Sequence, residues 1–368
     1  MHSHIKFNQW SHRAGESRAD VITTILVLIV FFVIAVALFL PPGPVSRPAS
    51  PRNACQNNMR QIGLALHTYQ DARKRYPSGC YSLKEIESGA PLLPLTRRVA
   101  GSANPDNGAK YSFLVHLLPY MEEGNIYNQI ATASNRFQLP AFDPAVVYGN
   151  TSMPFAALEI STFRCPSDVH DGYSTAPEYQ RFKQVNPITN QPAGIALTSY
   201  VATFATELDL VADRPAEANG VIVPEGSTTM RDIKNGLSRT IMLAETKETA
   251  YSSWYDAGDS WLVAVPPEQA RTRAQFDSLV NSQTETQMVN YGPDDDHPDR
   301  AYLPRVAWSN QQPRRWGASS HHAGGAMHAF VDGGVRFIAD DIDPKVYRAL
   351  IDRNATREEK DMAEKGLE

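Results

Sequence analysis

Apolar and polar positions follow three different patterns along the chain. Residues 21–40, VITTILVLIVFFVIAVALFL, form an apolar run without a single charge. At about 1.5 Å of rise per residue such a helix matches the roughly 30 Å hydrocarbon core of a bilayer, so a transmembrane helix is expected. A secretory signal has a shorter apolar region, about 7–15 residues, ending at small residues. This run ends instead in Pro41-Pro42-Gly43-Pro44. Residues 41–52 contain Pro41, Pro42, Pro44, Pro48 and Pro51, which fix φ and remove backbone donors, so they predict an extended linker. From Asn53 to Tyr76 the pattern becomes amphipathic. Cys55, Met59, Ile62, Leu66 and Tyr69 recur at steps of four and three, which lays one core-facing stripe along a helix that Pro77-Ser78-Gly79 ends.

Farther on, short apolar runs are broken by Pro, Gly and Asn. A short helix is expected over 121–130, and strands over 198–204, 220–223, 240–245 and 260–265. Two more strands, 326–330 and 335–339, flank Asp332-Gly333-Gly334, whose glycines suit a tight hairpin turn. A helix followed by strands predicts an α+β fold, with one helix packed on an antiparallel β-sheet. Residues 84–107 and 269–305 are polar and read as insertions, and the tail is charged on all faces and expected to fray. The expected organisation is a cytoplasmic leader 1–20, a transmembrane helix 21–40, a Pro-rich linker 41–52, an extracytoplasmic domain 53–351 and a charged tail 352–368.

Charge adds topology. With 35 basic and 40 acidic residues the net charge is -5, and no basic block supplies the footprint that binding nucleic-acid phosphates needs. Lys6, Arg13 and Arg18 precede the apolar run and place the N-terminus in the cytoplasm, although Arg47, Arg52 and Arg60 on the far side oppose that bias. The main domain is then extracytoplasmic. Cys55, Cys80 and Cys165 have neither CxxC nor zinc-finger spacing. One disulfide plus a free thiol, or three buried thiols acting as small apolar residues, both fit.

Candidate chemistry is sparse. HExxH, GxSxG, GxGxxG and P-loop motifs are absent. His321, His322, His328 and Asp332 can meet a metal only if the hairpin folds them together. The competing and favoured reading has His322 bonding the backbone of its own loop and Asp332 capping the hairpin turn. Asp294 to Asp299 are acidic but lack the spacing and central Gly of an EF-hand, which favours a solvated loop. Trp254, Tyr255, Trp261, Trp308 and Trp316 suit either a binding surface or a core. No catalytic residue, metal or cofactor is expected.

Six separated segments share one further pattern. They are Cys55 to His67 (CQNNMRQIGLALH), Leu117 to Glu122 (LLPYME), Phe163 to Asp168 (FRCPSD), Thr198-Ser199-Tyr200, Asn235 to Glu245 (NGLSRTIMLAE), and His322-Ala323-Gly324-Gly325-Ala326 through Asp332-Gly333-Gly334-Val335-Arg336-Phe337. In this order they resemble the bacterial domain of unknown function 1559 family, catalogued as solute-binding-like, over roughly residues 20–350. Its members carry a prepilin-type N-terminus and a C-terminal histidine followed, after nine residues, by Asp-Gly. The resemblance implies a pseudopilin-like architecture and makes His322, Asp332, Gly333 and Glu245 the motif residues, with Arg239, His322 or neither as the partner of Glu245. It also implies a Cys55–Cys165 disulfide, since both cysteines lie in matched segments and Cys80 does not. At the prepilin cleavage position Gly15 is followed by Glu16-Ser17-Arg18-Ala19-Asp20, where the family has apolar residues, and the prolines of 41–52 interrupt the continuous helix of a pilin. A tethered head domain fits these residues better than a filament subunit. The expected function is therefore a membrane-anchored extracytoplasmic pseudopilin-like structural or envelope-associated protein without catalysis. Its partners would be membrane lipid through residues 21–40 and envelope or secretion-system proteins. The alternative is an extracytoplasmic solute- or glycan-binding module. A hydrolase built on His322 and Asp332 lacks a nucleophile.

Overall fold

The computed structural model describes residues 22–32, 51–81, 111–176, 179, 182, 184–185, 192–212, 214–224, 226–250, 252–258, 260–265, 270–282, 288–289 and 317–366. The chain divides into two compact units, Met1–Ala49 and Ser50–Glu368. In the first, residues 22–32 are helical and all are exposed. They cover part of the expected 21–40 span. The rest of it, the leader, the linker up to Ser50, the 84–107 insertion, Asp294 to Asp299, Trp308 and Trp316 lie outside the described residues. Among the described residues, no helix is long and apolar enough to cross a membrane.

The second unit begins with helix α1, Pro51–Arg73. Pro51 sits at its first position, where a missing N–H costs nothing, and Lys74, at φ 60°, turns the chain out of the helix. All five residues of the expected stripe are buried, whereas Leu64 on the opposite face is 67% exposed. Helices α2 (Phe113–Leu117), α3 (Gly124–Ala133), α4 (Asp209–Ala212), α5 (Arg273–Asn281), α6 (Pro344–Ile351) and α7 (Arg357–Lys365) follow.

Five strands, β1 (Tyr200–Ala205), β2 (Ile241–Glu245), β3 (Trp261–Val263), β4 (Gly325–Phe330) and β5 (Val335–Ala339), form one sheet in the order β3-β1-β2-β4-β5. The sheet is mixed, not antiparallel as expected, because β3 runs parallel to β1. The cause is topological. Strand β2 ends at Glu245 opposite Tyr200, the first residue of β1. The chain then crosses that end of β1 and enters β3 with Trp261 opposite Ala202, so β3 runs with β1. Residues 220–223 are not a strand. They form a buried irregular segment in which the Gly220 N–H donates to the Phe204 carbonyl at 2.9 Å.

Both faces of the sheet are covered, a second departure from one helix on a sheet. On the α1 face, Tyr200, Ala202, Phe204, Met327, Ala329 and Val335 pack with Cys55, Met59, Ile62 and Leu66. On the other, Val201, Ile241, Ala244, Ala326, Phe330 and Ile338 pack with Tyr347, Leu350 and Ile351 of α6 and Phe276 of α5. Strands buried on both faces are apolar throughout, which is why their sequence shows runs and not alternation.

Through Lys365 the tail does not fray. Helix α7 starts with a capping box in which Thr356 and Glu359 satisfy each other's backbone N–H groups. Its Ala363 is fully buried, and Glu359 pairs with Arg273 at 2.9 Å and with Arg348 at 3.0 Å. Charges that looked solvated in the linear pattern are thus neutralised by partners on other helices.

Candidate functional site

Four of the singled-out residues meet at the end of the sheet where β1 begins, β2 ends and β4 begins. Cys55, in the second turn of α1, is bonded to Cys165, 110 residues away, with Cα atoms 4.9 Å apart. The Tyr200 hydroxyl donates to the Cys55 carbonyl at 3.1 Å, and the Cys165 N–H donates to Ser199 Oγ at 3.0 Å. Helix and Cys165 loop are therefore both tied to the start of β1. This disulfide is the one the resemblance implied.

Glu245 ends β2, and its Oε2 accepts the Met327 N–H of β4 at 2.8 Å. His322 lies in the loop before β4. That loop is closed by Ser320, whose hydroxyl accepts the His322 N–H at 3.0 Å and donates to the Gly325 carbonyl at 2.7 Å. Ser320 thus does the work expected of the imidazole, which instead turns inward. His322 Nε2 lies 3.4 Å from Glu245 Oε1 and 3.7 Å from Cys165 Sγ. Of the partners open to Glu245, His322 is the one found, and Arg239 pairs with Glu364 at 2.6 Å. Glu245 is 1% exposed and His322 9%.

A neighbouring cluster was not anticipated. Asp168, three residues after Cys165, binds Arg164 at 2.8 Å, faces His321 Nε2 at 3.5 Å and accepts the His170 N–H at 3.1 Å. Burial pushes its carboxyl up, but His321, the Arg164 charge and the His170 N–H outweigh burial and hold it below the usual range. The FRCPSD segment and His321 carried the sequence signals for it.

The His321, His322, His328 and Asp332 set is not brought together. Asp332 lies at the far end of β4 from His322. Its Oδ1 accepts the Gly334 N–H at 2.8 Å while Gly333 takes φ 84°, so it caps the hairpin turn as favoured. His328 is fully buried, with Nδ1 3.0 Å from the Ala326 carbonyl and Nε2 3.0 Å from the Tyr347 hydroxyl. Burial pushes it down to about 3, against the Ala326 hydrogen bond. Trp254 and Tyr255 are fully buried and Trp261 is 4% exposed, so these three belong to the core.

At the disulfide a single ring nitrogen serves two neighbours. His322 Nε2 faces both the carboxylate and the sulfur.

With this corner defined, one comparison becomes informative. The model of a family described as "Protein of unknown function (DUF1559)" matches residues 46–345. The chain belongs to the DUF1559 family. The match takes in Cys55, Cys165, Glu245, His322 and Asp332, and it stops inside α6. The family is catalogued as solute-binding-like. No curated protein and no solved structure matches this DUF1559 chain.

Proposed function

We propose that this DUF1559 protein is a membrane-anchored, extracytoplasmic, pseudopilin-like envelope protein whose folded unit serves as a scaffold and not as a catalyst. The observation that carries the reading is the burial of its motif. Cys55, Cys165, Glu245 and His322 range from 0% to 9% exposed, all at one end of the helix–sheet seam. Side chains so placed join elements to one another. Asp332 likewise serves its own turn. Anchoring is supported by the uncharged run 21–40, long enough as a helix for a bilayer. An exported location agrees with a disulfide, since disulfides persist in oxidising compartments. The solute- or glycan-binding alternative draws on the family's catalogue label and on five aromatic residues, of which Trp254, Tyr255 and Trp261 are in the core and Trp308 and Trp316 lie outside the described residues.

Fractionation of bacteria expressing the full chain tests this reading. The protein is expected in membranes, resistant to alkaline extraction, and degraded by protease added to spheroplasts. A variant lacking residues 21–40 is expected to leave the membrane. Full-length protein in the soluble fraction, or a second unit protected inside intact spheroplasts, would refute it.

A further inference from the structure

The corner built from Cys55, Cys165, Glu245 and His322 contains more donor atoms than a structural disulfide requires. One atom from each residue, two Sγ, one Nε2 and one carboxylate oxygen, lies within 4.8 Å of the other three, and all four residues are buried. Glu245 Oε1 is the unexplained member. Its sister Oε2 is held by the Met327 N–H, whereas Oε1 is buried without a hydrogen bond and faces His322 Nε2 at 3.4 Å inside the cluster. A buried carboxylate oxygen left in this condition costs free energy unless something positive meets it.

We propose that reduction of the Cys55–Cys165 disulfide converts this corner into a buried site for a zinc-like divalent cation, with Cys55 Sγ, Cys165 Sγ, His322 Nε2 and Glu245 Oε1 as the four ligands. The distances fit. Tetrahedral zinc, with sulfur at about 2.3 Å and nitrogen or oxygen at about 2.0–2.1 Å, requires an N···O edge of about 3.3 Å and an S···N edge of about 3.6 Å. The corresponding separations are 3.4 Å between His322 and Glu245 and 3.7 Å between His322 and Cys165. The convergence of one imidazole nitrogen on both an oxygen and a sulfur is the arrangement of ligands around a shared ion. The surroundings also suit it. The Met327 N–H fixes the carboxylate, and Ser167 Oγ lies 3.8 Å from Cys55 Sγ, in place to donate to a thiolate. Two thiolates and an imidazole select zinc over magnesium or calcium.

Redox state gates the site because thiolates, not a disulfide, bind the metal. An external dithiol supplies two electrons and two protons, the Cys55–Cys165 bond breaks to two thiols, and the dithiol closes to its own disulfide. Metal binding then displaces both thiol protons to solvent. Two thiolates and one carboxylate around a divalent cation leave one net negative charge. Oxidation by an external disulfide reverses the sequence and expels the ion.

The test uses the full chain in detergent with Cys80→Ser, which leaves two thiols. It is reduced with a phosphine under anaerobic conditions and titrated with Co2+. One cobalt per chain is expected, with thiolate-to-cobalt charge-transfer bands and the visible bands of a tetrahedral centre, bleached by Zn2+ and absent from the oxidised chain. Glu245→Gln and His322→Gln, each in the same background, are expected to weaken binding at least about tenfold. Absence of the bands from the reduced chain would overturn the proposal, as would a cobalt affinity unchanged by both substitutions. A reduced chain that unfolds and binds through its cysteines alone gives that second result, so it too counts against the site.

Discussion

Arg348 is a residue whose loss is expected to be costly. It projects from α6, its side chain 7% exposed, onto Glu207, which is 1% exposed. Its Nε and one terminal nitrogen donate to the two oxygens of Glu207, the latter at 3.3 Å, while Nη1 donates to Glu359 of α7 at 3.0 Å. Arg348→Met removes the cation and keeps most of the apolar stem. Among the described residues, Glu207 then retains the Thr206 hydroxyl, at 2.5 Å. Two charge-assisted hydrogen bonds at about 1.5–3 kcal/mol each are lost there, and removing one partner of a buried pair costs about 3–5 kcal/mol in other proteins. The two figures agree on a destabilisation of about 3–5 kcal/mol. Urea unfolding followed by far-ultraviolet circular dichroism measures it. The double variant Glu207→Gln/Arg348→Met removes the stranded charge along with the cation and is expected to recover at least about half of the loss. A cost below about 1 kcal/mol for Arg348→Met, the range of an exposed pair, would refute the reasoning. A double variant no more stable than the single one would do the same.

Three other outcomes are expected. Cys55→Ala/Cys165→Ala opens a loop of 110 residues and should cost up to about 4.7 kcal/mol in the chain-entropy model, read from the same urea curves; intact mass after alkylation in denaturant should show one tagged cysteine in the oxidised wild type and three after reduction. His328 and His116 are pushed down to about 3, both chiefly by burial and His116 also by the Arg73 charge, so the unfolded chain takes up protons that the folded chain refuses. Stability is then complete above pH about 6.5, where free histidine titrates, and falls as pH drops from there toward 3; His116→Gln/His328→Gln should flatten the melting temperature over that window, and an unchanged slope would count against the assignment. At Gly325, an added Cβ would lie 2.1 Å from the Ile338 carbonyl oxygen and 2.8 Å from the Phe337 ring, so Gly325→Ala should destabilise by about 1–3 kcal/mol through overpacking at the start of β4; a thermal melt matching wild type would show that the hairpin yields.

Local patterns were legible wherever one element's own period reported its surroundings. The stripe of α1 was readable because a helix that buries one face must repeat apolar residues at steps of three and four, and all five expected positions are buried. The β4–β5 hairpin was readable because Asp332-Gly333-Gly334 has the chemistry of its turn, down to the carboxylate that caps it. The partner of Cys55 came from the resemblance, since spacing alone left the pairing open. Residues 220–223 misled because their apolar run is that of a buried segment of any kind. The mixed sheet was hidden because strand direction depends on which end of β1 the 246–260 crossing reaches, and no local period encodes that.

By itself the sequence determined the amphipathic helix, the hairpin, the α+β class, the uncharged run 21–40 and the family. All of these are properties of residues close in the chain, or of short motifs in a fixed order. The tertiary structure decided the rest. It covered the second face of the sheet with α6, turned the charged tail into a helix tied to Arg348 and Arg273, and split the histidine motif, sending His322 to Glu245 and the disulfide and His328 to Tyr347. The physical reason is range. Backbone periods and turn chemistry act over a few residues, whereas a buried charge or imidazole takes whichever partner the packing of distant elements sets within about 3–4 Å, and sequence separation places no limit on which partner that is.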